Sequence, residues 1–109
     1  MTVNFGGLPV RATFTLSSDA DFFQVVKTSD GTHFPETTVM ELRWLDDEDL
    51  VVATWTATVD ENLATFYEDK SDVAALLALN PVQGRLFYED GVGGPELLLA
   101  KGTIHDLSP

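Results

Sequence analysis

Asp46-Asp47-Glu48-Asp49 is the densest group of ionisable side chains in this sequence. Clustered carboxylates can do two kinds of chemistry. Paired acids hydrolyse glycosides when an apolar site raises the pKa of one of them. Carboxylate oxygens also bind Ca²⁺, which takes about six to eight oxygen ligands. The run fits neither case. It sits where one apolar strand ends and the next begins, so it reads as a turn, and solvated turn carboxylates are poor general acids. An EF-hand would need a central Gly and a terminal Glu at fixed spacing, and the run has neither. Asp46, Asp47, Glu48 and Asp49 therefore read as a solvated, solubilising turn and as candidate contacts for a basic partner.

Nucleophilic chemistry needs a Ser or Cys beside a base held by a third group. The chain has no Cys, which also excludes disulfides and thiolate metal sites. Its two histidines are His33, in a loop, and His105, beside Asp106 on a strand. Neighbouring strand residues point to opposite faces, so His105 and Asp106 need not interact. Neither a G-x-S-x-G elbow nor a histidine pair at zinc spacing is present. The sequence predicts no enzyme, no cofactor and no metal.

The surrounding elements are strands. Val10 to Leu16 alternates, with Val10, Ala12, Phe14 and Leu16 on one face and Arg11, Thr13 and Thr15 on the other. Phe22 to Lys27 follows, and Asp30-Gly31 has the chemistry of a tight hairpin turn. Thr38 to Trp44 directs Met40, Leu42 and Trp44 inward. Val51 to Val59 reads as the longest strand, with Trp55 inward. Leu63 to Glu68, Val82 to Tyr88 and Glu96 to Ile104 complete the set. Ser71 to Leu79 favours a helix of about two turns, capped by Ser71 and stopped at Asn80-Pro81. The expected fold is all-β, an antiparallel β-sandwich of about seven strands with one short helix in a connection. Residues 1–9, rich in Gly and ending in Pro, read as a flexible or extended N-terminal arm before a sandwich over 10–109. Val3, Phe5 and Leu8 would be its docking residues. Phe66-Tyr67-Glu68-Asp69 is echoed by Phe87-Tyr88-Glu89-Asp90, without the third copy a repeat would need. Sugar binding would fall to Tyr67 and Tyr88 as exposed aromatics, since both Trp residues share parity with core positions.

Charge limits the partners. The chain carries 18 Asp and Glu against 6 Lys and Arg, a formal net charge of −12 over 109 residues. Phosphate backbones and anionic membranes are repelled. Met1 to Pro9 lacks the basic and apolar regions of a signal peptide, and no apolar run has spanning length.

The order of segments is familiar. It runs through Asp21-Phe22-Phe23-Gln24-Val25-Val26, Ala53-Thr54-Trp55, Ala64-Thr65-Phe66-Tyr67, the helix, Gly84-Arg85-Leu86-Phe87-Tyr88 and Leu99-Ala100-Lys101-Gly102-Thr103-Ile104. From about Val10 to Ile104 the chain resembles the LtfC-like small β-sandwich proteins of actinobacteriophages. That resemblance implies a virion structural protein, often a minor tail protein, assembled in the host cytoplasm. It would be a non-enzymatic docking module, present in many copies and contacting other phage structural proteins and its own copies. Capsid decoration and carbohydrate or receptor binding are the alternatives. The resemblance implies no catalytic residues.

Overall fold

The computed structural model describes residues 1–3, 9–91 and 94–109, and the order of its elements follows the alternation of the sequence. The strands are β1 (Thr2–Val3), β2 (Val10–Leu16), β3 (Phe22–Thr28), β4 (Val39–Leu45), β5 (Val51–Thr56), β6 (Thr58–Asp60), β7 (Leu63–Glu68), β8 (Gln83–Glu89) and β9 (Leu97–Asp106), with a helix α1 (Lys70–Leu77) between β7 and β8. Two sheets face each other. One has the order β1-β3-β7-β6 and the other β2-β9-β8-β4-β5. The β-sandwich is therefore as expected, but it has nine strands among the described residues rather than seven.

The two extra strands have physical causes. The stretch expected as one long strand, Val51 to Val59, divides at Ala57. β5 pairs with β4 in the five-stranded sheet, and β6 pairs with β7 in the four-stranded sheet. Strands that switch sheets form the corners of sandwiches. At this corner the Ala57 N–H donates to the Met40 carbonyl at 3.0 Å. The other extra strand is β1. Thr2 and Val3 pair in parallel with Lys27 and Thr28, and the terminal amine donates to the Val25 carbonyl at 2.8 Å. Val3 is fully buried, so it belongs to this chain's own core and is not free to dock elsewhere. Phe5 and Leu8 lie outside the described residues. A second parallel pair, β2 against β9, makes the sandwich mixed rather than wholly antiparallel.

The Asp30-Gly31 turn forms, with Asp30 Oδ1 accepting from the Thr32 N–H and Gly31 at φ 79°. It does not close a hairpin. β3 lies in one sheet and β4 in the other, so residues 32–38 carry the chain across the sandwich.

The core is built around Trp44. Its ring meets Phe14 edge-on at 5.3 Å, Trp55 at 5.1 Å and Phe22 at 6.3 Å between centroids. Such edge contacts contribute about 0.5–1.5 kcal/mol each beyond simple burial. Met40, Leu42, Phe66 and Leu86 are fully buried around this cluster. α1 closes one end of the core with Val73 and Leu76, one helical turn apart. Its N-cap is Asp69 rather than Ser71. The Asp69 carboxylate accepts from the Asp72 N–H at 3.1 Å and from the Ser71 hydroxyl at 2.6 Å. A carboxylate there satisfies a free helical N–H and meets the positive end of the helix dipole.

Candidate functional site

The acidic turn joins β4 to β5, and its four side chains divide into two kinds. Asp46 Oδ1 accepts from the N–H groups of Glu48 and Leu50, at 2.8 and 3.1 Å, so it holds the turn together. Asp49, at φ 62°, accepts from Gln83 Nε2 at 2.9 Å and lies 3.7 Å from Arg85 Nη2. Asp47 and Glu48 point into solvent. Among the described residues no group of His, Asp or Glu is arranged to hold a metal ion. His33 and His105 are both exposed.

The outer face of the four-stranded sheet carries a different feature. Phe23 on β3 and Tyr67 on β7 are direct cross-strand partners, and they are 65% and 58% exposed. Leu63, on the same face of β7, is 41% exposed. Directly opposed aromatics interact with each other, and a pair this exposed is a candidate contact on a face it shares with Lys27, Thr65 and Asp60. Carboxylates rim the pair. The Tyr67 hydroxyl donates to Asp21 Oδ2 at 3.2 Å, while Asp21 Oδ1 accepts from the Lys70 N–H at 2.8 Å. That hydrogen bond, with the charges of Asp21 and Asp69, raises the Tyr67 pKa above its ordinary value. Tyr67 thus presents an aromatic surface whose hydroxyl edge is held by an acid.

Sequence reasoning found Tyr67 but also named Tyr88, which is buried against Phe34. The two echoed segments are out of phase. In β7 Phe66 points inward and Tyr67 outward, whereas in β8 Tyr88 points inward and Phe87 outward. Phe23 was missed because Phe22-Phe23 must place one ring on each face, and only the register decides which.

Comparison with known proteins gives the architecture a context. No curated protein matches the chain significantly. Among solved structures, the N-terminal domain of ORF48 of phage TP901-1 superposes with a TM-score of 0.54 at 11% identity, covering 95% of this chain and 94% of that one. A chain from the crystal structure of ICOS in complex with ICOS-L and an anti-ICOS-L VNAR domain superposes with a TM-score of 0.53 at 10% identity. It is covered over 55% of its length, by 90% of this chain. At such identities the likeness is one of fold. A family model describes residues 9–106, from the start of β2 to the end of β9. The chain belongs to the family of LtfC-like, beta-sandwich domains.

Proposed function

We propose that this chain is a structural component of a phage particle, a minor tail protein that docks onto another virion protein without catalysing a reaction. The observation that carries the docking reading is the exposed Phe23–Tyr67 pair on a sheet face that nothing among the described residues covers. Interface centres are rich in aromatics, and a polar rim surrounds them. Here the rim is acidic, through Asp21 and Asp69, in a chain of net charge −12. The partner is therefore a protein with an apolar centre edged by Lys or Arg. Membership of the LtfC-like family supports the phage setting. So does the likeness to a phage domain matched over nearly its whole length.

A second reading has one observation in its favour. An exposed Tyr held beside a carboxylate is an arrangement on which a sugar can stack and hydrogen-bond. Immunogold labelling of parent virions with an antibody to this domain tests the main reading. Label on the tail supports it. Label confined to heads replaces it with capsid decoration. Unlabelled particles, with antigen present in infected cells, overturn it. The sugar reading requires a Trp or Tyr fluorescence change on addition of host-wall glycans, and a flat response removes it.

A further inference from the structure

The chain has six Lys and Arg residues, and four of them stand in a single row across the outer face of the five-stranded sheet. Arg11 on β2 is opposite Lys101 on β9, Lys101 is opposite Arg85 on β8, and Arg85 is opposite Arg43 on β4. Like charges directly opposed across strands destabilise a sheet. Three such pairs in succession, in a chain with 18 acids available, call for anions on this face.

At one end the chain supplies its own. Arg43 pairs with Glu41 at 2.9 Å and with Glu96, and its guanidinium lies 4.2 Å from the centre of the Phe87 ring. Arg85 has Asp49 of the acidic turn at 3.7 Å. At the other end Arg11 and Lys101 are exposed, and among the described residues neither has a carboxylate within ion-pair distance. They border a shallow groove of about 620 Å³, also lined by Thr13, Gln83 and Thr103. Cations, hydroxyls and an amide are the groups that bind a carboxylate-bearing segment.

We infer that the Arg11–Lys101 end of this row is the docking surface for the acidic turn of a second copy of this chain. Three observations select that occupant. Asp47 and Glu48 are exposed carboxylates that the turn does not use. Asp49 of the same turn already meets Arg85 and Gln83 within one molecule, so these carboxylates suit this row. Finally, the free cations stand on β2 and β9 and the acidic turn joins β4 to β5, so the two are separate patches of one sheet with β8 between them. A contact between two such patches either closes reciprocally as a two-fold dimer or repeats from copy to copy as a ring or filament. The net charge of −12 opposes it in dilute solution, so it forms where copies are concentrated. The inference does not depend on the aromatic face, because the two surfaces lie on different sheets.

Zero-length carboxylate–amine crosslinking of a concentrated mixture of ¹⁴N- and ¹⁵N-labelled chain tests it. The expected product is a mixed-isotope peptide joining Lys101 to Asp47 or Glu48. Its yield should fall about tenfold or more in Arg11→Glu, which keeps both reacting groups, and it should vanish when the turn is reversed (Asp47→Lys with Glu48→Lys). Reversing the row (Arg11→Glu with Lys101→Glu) should likewise abolish crosslinking between the row and the turn. Mixing the two reversed variants should restore crosslinking between the two sites. All three variants change exposed residues, and far-UV circular dichroism verifies their folding. Absence of the mixed-isotope product from the unmodified chain, or no recovery in the mixture, overturns the inference whatever the virion labelling shows.

Discussion

Gly84 lies directly opposite Trp44 across the β4–β8 pair, and the indole occupies the space a side chain at Gly84 would take. A Cβ there would stand 2.7 Å from Trp44 Cζ3 and 3.0 Å from the Phe14 ring. The same row continues through Gly102, where a Cβ would collide with the Ala12 carbonyl. Gly84 lets the indole lie across its own sheet, and Gly102 lets β9 approach β2 closely. The aromatic cluster around Trp44 depends on the fit at Gly84.

Gly84→Val should therefore destabilise the fold by about 1–3 kcal/mol through overpacking. Trp44→Ala should cost about 3–5 kcal/mol through lost burial and a cavity. The double variant should cost clearly less than the two together, since the added methyls enter the space the indole leaves. Urea unfolding of the four proteins measures the coupling. Additive costs would mean that Gly84 and Trp44 do not share the space.

Asp69 should stabilise the helix in a pH-dependent way. The Ser71 hydroxyl and the Asp72 N–H hold its carboxyl below the usual value of 3.8. A carboxylate with a lowered folded pKa gives its full stabilisation above its unfolded pKa and loses it as pH falls through the folded one. Asp30, held by Thr32, and Asp106, held by Ser108, add to the same trend. Asp69→Ala should lower the Tm at neutral pH and have a much smaller effect at about pH 2. An equal loss at both pH values would contradict the assignment of Asp69 as a charged cap.

Glu68 should behave in the opposite sense. Burial, and the neighbouring acids Asp72 and Asp69, push its carboxyl above 4.5. Its ionised form is therefore penalised in the folded state. That penalty applies above the raised pKa and disappears as pH falls to the unfolded value. Glu68→Gln should raise the Tm at neutral pH and give no gain at about pH 3. A Tm unchanged at neutral pH would show that Glu68 sits comfortably as a carboxylate.

The outer aromatic pair should matter for docking and little for folding. Phe23→Ser with Tyr67→Ser removes rings that are mostly in solvent, so the Tm should move little. A marked loss of Tm in thermal unfolding would mean that the pair serves the sheet itself.

The parts of this fold legible in the sequence were those encoded by local alternation. Met40, Leu42 and Trp44 point inward as their spacing requires. The corner at Ala57 was invisible because Trp55, Ala57 and Val59 stay in phase through it, and both sheets bury the same parity. β1 was hidden because two residues cannot show a period. The tight hairpin at Asp30-Gly31 failed because turn chemistry fixes a local bend and not the sheet that the next strand joins. The acidic turn was found from composition alone, but its division into structural Asp46 and Asp49 and free Asp47 and Glu48 depends on hydrogen bonds. The cation row was not legible, since it exists only through the register of four strands whose residues are far apart in the chain.

The central claim is that the Phe23–Tyr67 face attaches this chain to a phage particle. The most direct test is incorporation of Phe23→Ser with Tyr67→Ser into purified parent particles, quantified against the unmodified chain expressed at the same level. The account predicts a folded protein that is absent from the particles or strongly depleted. Incorporation equal to that of the unmodified chain would contradict it.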